Sequence, residues 1–189
     1  MTGHQTTETS MKLPSAETLQ LLLDKSALYE LILNYCRAVD RRDFALLETL
    51  YHPDSTDDHS PLFQGSGPEF VRQLPKIMQR FAMTRHVITG ALFSVAGDIA
   101  DGEVHVDAYH LLNGEPAREM LFYGRYLDRY ERRQGVWRFL ERTSVHDWSA
   151  LRPYDKEASA WVSRGATLGR ADENDPVYSR LALVRRGIR

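Results

Sequence analysis

Tyr35 and Asp40 place a phenol and a carboxylate at the C-terminal end of one apolar helical run, which is where a small-molecule pocket can borrow both. Leu28, Leu31, Ile32, Tyr35 and Val39 recur at the three- and four-residue spacing of a buried helical stripe, and Asp40 follows directly. At ~100° per residue the two side chains stand about 140° apart, so they border one cavity only from opposite sides of that stripe. A phenol can donate a hydrogen bond or a proton, and a carboxylate can orient or accept one. The purely structural alternatives are a core tyrosine and an aspartate that ends a helix before a turn.

Further along, the alternation of a strand decides which side chains share a face. Arg138, Leu140, Arg142, Ser144 and His146 form one set, and Trp137, Phe139, Glu141, Thr143 and Val145 the other. The second set is more apolar, so parity alone leaves open whether Arg142 faces a core or water. His146 shares the Arg142 face nearer the rim and is a substrate-contact candidate. Phe122, Gly124, Tyr126, Asp128 and Tyr130 share one face of the preceding run. His105, Asp107 and Tyr109 alternate against Val104, Val106 and Ala108, and either face is free to look into a cavity. His52, Asp54, Asp57, Asp58 and His59 offer metal-competent groups in a short polar stretch, but their spacing matches no zinc site or facial triad, and no metal is expected there.

The elements that must position these residues follow from periodicity. Residues 1–14 read as a mobile tail, with Ser15 capping a first helix that runs to about Val39. Phe44 to Tyr51 reads as a second short helix stopped by His52-Pro53, and Asp54 to Gly67 as a turn-rich loop with a short strand near its middle. Pro68-Glu69 opens a third helix through Phe70, Leu74, Ile77 and Phe81, which Pro75 should kink or end early. His86 to Val95, Glu103 to Leu112, Arg118 to Tyr130 and Val136 to His146 are rich in Val, Ile, Tyr, Phe and Trp and bounded by glycine-containing turns, the pattern of four antiparallel strands. Ser149 to Asp155 reads as a loop, Ala158 to Val162 as a short helix, and Val177 to Leu183 as a segment able to dock on the body or a neighbouring subunit. The expected fold class is α+β: a cone-like, curled antiparallel sheet packed against N-terminal helices, an α+β barrel with a hollow between. One domain over 15–148 with a C-terminal extension, 149–189, covering the pocket or a subunit contact, accounts for the length.

Composition narrows the function classes. The 189 residues are 42% hydrophobic with a formal net charge of -2, enough for one core and without a basic face for nucleic acid. The single cysteine, Cys36, rules out an internal disulfide framework and fits a reducing cytoplasm. No run approaches the roughly 20 apolar residues of a membrane span, and Met1 to Ser10 lacks the regions of a signal peptide.

The runs Tyr35-Cys-Arg-Ala-Val-Asp40-Arg-Arg-Asp43 and Tyr51-His-Pro-Asp54, with His86 and Tyr130-Glu-Arg-Arg-Gln-Gly-Val-Trp-Arg-Phe139, resemble the nuclear transport factor 2-like superfamily, specifically its SnoaL-like branch. The resemblance covers roughly Leu19 to Trp148. The superfamily includes scytalone dehydratase, bile acid dehydratase, hexachlorocyclohexane dehydrochlorinase, ketosteroid isomerase, formaldehyde-releasing lyases of diaryl compounds, and non-catalytic binding proteins, so the fold does not fix the reaction. It implies that Asp40 pairs with a catalytic His86, and that Arg142 is a pocket arginine. Tyr35 stands where the dehydrochlorinase has lysine and matches the helix tyrosine of bile acid dehydratase, which argues for an oxygen leaving group over a halide. Tyr126 falls on an aromatic pocket position, with Phe122 on its face, and Asp107 near a further pocket aspartate. His105 joins Asp107 as a substrate-contact candidate.

The chemistry so implied is a cofactor-independent lyase, a dehydratase or related C–O or C–C cleavage, on a small apolar, aromatic or alicyclic hydroxylated substrate. His86 takes the proton, Asp40 fixes its tautomer, Arg142 supplies a fixed positive charge and Tyr35 a hydrogen bond. An isomerase in which Asp40 itself shuttles the proton is the enzymatic alternative, and a non-catalytic small-molecule-binding domain the other. A homo-oligomer, dimer or trimer, is expected, because helices on one sheet face leave the other to be covered, with Trp137 and Phe139 there if Arg142 faces inward.

Overall fold

The computed structural model describes residues 13–187, so the 1–14 tail of the sequence reading falls, up to residue 12, outside the described residues. Ser15 caps the first helix by accepting the Thr18 N–H at 3.1 Å, and α1 then runs Ala16–Asp40. Its stripe of Leu28, Leu31, Ile32, Tyr35 and Val39 is buried, so the helix is held by what it packs against. The chain turns through Arg42, at φ +52°, into α2, Phe44–Glu48, capped by the Asp43 carboxylate on the Leu46 N–H. Asp40 is thus the last helical residue, fixed between a buried helix and a tight turn.

The next segment corrects the sequence reading. Tyr51–Asp58 is a strand, β1, where a helix end and a loop were expected. Its polar letters concealed it: Ser55 donates to the His52 carbonyl at 2.6 Å and Tyr51 to Asp57 at 2.7 Å, so this strand buries polar groups that satisfy one another. Pro53 sits in the irregular stretch of pairing between Tyr51 and Thr56, where no ladder hydrogen bond is lost. Gln64–Ser66 forms β2, and α3 runs Gly67–Met78 with Ser66 as its cap, continuing through Pro75. Phe81 starts β3 (Phe81–Ala96) instead of ending α3, and β4 (Ile99–Leu112), β5 (Arg118–Arg133) and β6 (Val136–Pro153) follow. β6 therefore continues through residues read as a loop.

The expected cone-like antiparallel barrel is not what forms. The sheet has order β2-β1-β6-β5-β4-β3, with β2 and β3 as free edges, so it is open and does not close on itself. It is also mixed, because β1 pairs with β6 in parallel while the other pairs are antiparallel. Alternating hydrophobicity reports which face of a strand is buried; it carries no information on whether two edges meet, and a three-residue β2 cannot close a sheet against sixteen-residue β3. The fold is α+β with helices on the inner face of an open sheet.

Bulges resolve the parity question. Tyr130 pairs with Phe139 and Arg129 with Glu141, so Leu140 is an extra residue on β6. One extra residue reverses the alternation, and Trp137, Phe139 and Arg142 are all buried on the inner face. The expectation that Trp137 and Phe139 cover the outer face is overturned by this bulge. A second, at Asp147, returns Trp148 to the outer face, where its ring stacks on Tyr123 at 4.0 Å.

After α4 (Lys156–Val162) the chain returns to the α1–α2 junction through α5 (Pro176–Arg180). Asp175 pairs with Arg41 at 3.2 Å, Arg186 donates to the Arg41 and Arg42 carbonyls, and the Gly187 N–H reaches Asp43 at 3.0 Å. No helix among the described residues is long and apolar enough to cross a membrane.

Candidate active site

The end of α1 meets the edge strand β3 at Asp40 and His86. His86 Nδ1 and Asp40 Oδ1 are 2.7 Å apart, the His86 backbone N–H donates to Oδ2 at 2.8 Å, and the Thr84 hydroxyl donates to Oδ1 at 2.9 Å. A carboxylate below neutrality's reach can only accept, so Nδ1 carries the ring proton and Nε2 is left as the basic nitrogen. Burial pushes the Asp40 carboxyl up, but the His86 charge and the hydrogen bonds from His86 and Thr84 outweigh it and hold the carboxyl below its ordinary value. Parity places Thr84 and His86 on the inner face of β3, which is why both reach the same carboxylate.

This pair lies on a cleft of about 1230 Å³. One side is apolar, with Leu33, Cys36, Phe44, Met78 and Phe81; Arg41, Arg42 and the C-terminal residues Gly169–Asp172 lie around it. Cys36 lines the cleft with Asp40, and burial pushes its thiol up to about 12, with the Asp40 charge adding, so it is a packed thiol and no nucleophile.

Tyr35, Tyr126 and Arg142 form a second group deeper in the core and do not line that cleft. Arg142 is fully buried and donates through Nε and Nη2 to the two oxygens of Asp128, each at 2.7 Å. The rings of Tyr35, Tyr126 and Phe139 stand 4.1 Å from its guanidinium carbon, and Nη1 is buried without a partner. Burial opposes the charge, yet Asp128 more than restores it and raises the arginine further. Cys36 joins the two groups, since its thiol feels both Asp40 and Arg142.

The remaining sequence candidates separate by face. Phe122 and His146 lie on the inner face with rings 5.5 Å apart. His105 and Asp107 lie on the opposite face of β4 from Val104, Val106 and Ala108, and His105 is half exposed beside Glu103. His52 donates from Nε2 to the Glu131 carbonyl, Asp54 binds Arg133, and Asp58 accepts from Ser60 and Gln64, so the polar stretch disperses its ligands. Among the described residues no three His, Cys, Asp or Glu gather in a metal-holding arrangement.

Sequence reasoning missed Thr84, His110, Asp128 and the Asp57–His59 pair as members of these groups. His110 stands edge-on to His86 at 5.5 Å, and burial, with the His86 charge behind it, lowers its pKa to about 4. Its even position opposite Thr84 on β4 was the available signal.

The profile of the SnoaL-like domain matches residues 20–143. Rv2910c, an uncharacterised protein of Mycobacterium tuberculosis, is 26% identical over 125 residues, which is 65% of this chain and 84% of its own length. Hexachlorocyclohexane dehydrochlorinase LinA type 3 from Novosphingobium barchaimii is similar in structure, with a TM-score of 0.66 and 23% identity over 74% of this chain and 95% of that one. A candidate scytalone dehydratase from Novosphingobium aromaticivorans gives a TM-score of 0.65 at 22% identity, over 73% of this chain and 92% of its own. At such identities the two structures speak for the shared fold.

Proposed function

The chain belongs to the SnoaL-like domain family of the nuclear transport factor 2-like superfamily, and on that premise we propose that it is a cofactor-independent lyase acting on a small, largely apolar hydroxylated substrate, aromatic or alicyclic. The observation that carries the reading is the Asp40–His86 pair on the wall of the cleft. With Nδ1–H given to Asp40, Nε2 accepts a proton from a carbon of the substrate, and the electron pair of that C–H bond forms the new double bond as the C–O bond breaks. The departing oxygen takes that proton from the His86 imidazolium and leaves as water, which returns His86 to its neutral form. Asp40 stabilises the imidazolium that forms.

The same geometry disfavours the isomerase in which Asp40 is the base. Both its oxygens already accept hydrogen bonds, and its proton affinity is held below the ordinary carboxylate value. Tyr35 and Arg142, which the motif resemblance offers as donors to the departing oxygen, are buried in the core and do not line the cleft, so the reading gives them no direct contact with a substrate seated there.

The test is a screen of phenolic and alicyclic alcohols for the ultraviolet absorbance of new conjugation. On a substrate so found, His86→Ala and Asp40→Asn should each lower turnover by about two to four orders of magnitude with small effects on affinity, and together by far less than the product. Unchanged turnover in His86→Ala would refute the mechanism, and a ligand that binds tightly without being turned over would favour a binding domain.

A further inference from the structure

The cleft beside Asp40 and His86 carries more positive charge than its own carboxylates cancel. Arg37, Arg41, Arg42, Arg85 and Arg170 line it, against two acids, Asp40 and Asp172. Both acids are already engaged: Asp40 accepts from His86 and Thr84, and Asp172 holds Arg170 through its two oxygens. Arg41 Nε stands 3.2 Å from Asp175, which is itself occupied by the Arg170 and Val177 N–H groups.

Arg42 is the cation left without an acid. It donates through Nη1 to the Met78 carbonyl at 3.0 Å and through Nη2 to the Phe81 carbonyl at 2.7 Å, contacts that fix the guanidinium without neutralising it, and Nε bonds to no described residue. The adjacent Asp43 turns its carboxylate to the Leu46 and Gly187 N–H groups instead. Burial lowers the Arg42 pKa from the ordinary arginine value, with the Asp40 charge acting the other way. A partly buried cation held by neutral groups alone is unfavourable until an anion meets it. The backbone does not ask for arginine here either, since φ is +52°, a conformation that glycine or asparagine adopts at lower cost. Beside this cation the cleft wall is apolar, with Phe44, Met78 and Phe81.

We propose that the cleft selects an apolar acid, and that Arg42 is the residue that recognises its anionic group. This rests on the lyase reading and names the substrate class of that same site: a hydroxylated ring system that also bears a carboxylate. The rings lie on Phe44, Met78 and Phe81, the carboxylate meets Arg42 with the Arg41 charge beside it, and the C–H bond to be broken faces His86 Nε2. The acid group is not consumed. It anchors one end of the substrate, which orients the other end toward the Asp40–His86 pair.

The probes are 2-naphthoate, ionised at neutral pH, and 2-naphthamide, its uncharged counterpart of similar shape; neither has a leaving group, so both report on binding alone. In calorimetric titrations of the full chain, naphthoate should bind about tenfold or more tightly than the amide, and the preference should narrow as sodium chloride is raised. In Arg42→Gln the preference should vanish while the amide binds as before. Arg41→Gln, which leaves the Met78 and Phe81 contacts in place, should narrow it, and decides the matter with the salt series if Arg42→Gln does not fold. Equal binding of acid and amide, no binding of naphthoate at millimolar concentration, a preference unmoved by salt and by Arg41→Gln, or an equal loss of both ligands in Arg42→Gln, as a structural effect would give, overturns the proposal. An acid preference with no turnover of any hydroxylated acid counts against the lyase reading alone, and turnover of neutral alcohols with no acid preference against this inference alone.

Discussion

His110 shows what burial does to an imidazole that is only partly satisfied, with backbone groups of Ala108 and Met120 as its hydrogen-bond partners. Its Nδ1 is buried without a partner, and its pKa falls to about 4 from the ordinary 6.5. A lowered histidine pKa means that the native state binds fewer protons than the unfolded chain between those values, so stability is complete above 6.5 and is lost as pH falls toward 4. Urea midpoints measured from pH 7 to 4 should therefore drop in the native sequence and drop less in His110→Gln. Arg142 and Asp128 present the opposite case, two buried charges that satisfy each other. Arg142→Met leaves Asp128 uncompensated and should cost about 3–5 kcal/mol in denaturant unfolding. Adding Asp128→Leu should recover part of that loss, although Tyr130, which donates to Asp128 at 2.7 Å, then loses its acceptor.

At the scale of the element, β5 and β6 are shaped by irregularities. The Leu140 bulge turns Arg142 inward beside Phe139, and the Asp147 bulge turns Trp148 outward. Gly124 faces the second of these: a Cβ there would meet the Val145 carbonyl oxygen at 2.2 Å and the Phe122 ring at 2.7 Å. Since a backbone oxygen cannot swing aside, Gly124→Ala should destabilise by about 1–3 kcal/mol, read as a lower thermal midpoint. Gly135, at φ +79° in the turn before β6, has open space around it, so its substitution costs backbone strain alone. Comparing the two variants separates crowding from conformation.

For the whole molecule, the outer sheet face and the C-terminal segment matter most. Trp148 is 51% exposed and stacks on Tyr123, with half-exposed Met83 and Val87 on the same face of β3. A face of that kind is expected to meet a second copy of the chain, so light scattering should give a multiple of the chain mass and Trp148→Glu should lower it. A monomeric mass for the native sequence would contradict this. The C-terminal segment, clamped at Arg41, Arg42 and Asp43, lies beyond the matched domain of residues 20–143 and supplies Gly169–Asp172 to the cleft.

By itself the sequence determined the buried stripe of α1, the helix through Phe70 and Leu74, the four long strands and the α+β class, because helical and strand periods are local and the core enforces them. The motif resemblance directed attention to Asp40 and His86; spacing alone could not, since 46 residues separate them and only the packing of α1 against β3 brings them to 2.7 Å. Tertiary structure alone decided the rest. Whether the sheet closes depends on edges far apart in the chain, so the barrel reading failed. β1 was hidden because its buried side chains are polar and satisfied by one another. Arg142 faces the core with Trp137 and Phe139 because one extra residue in β6 resets the alternation, and a bulge is a property of the pairing between two strands, which neither strand's sequence records.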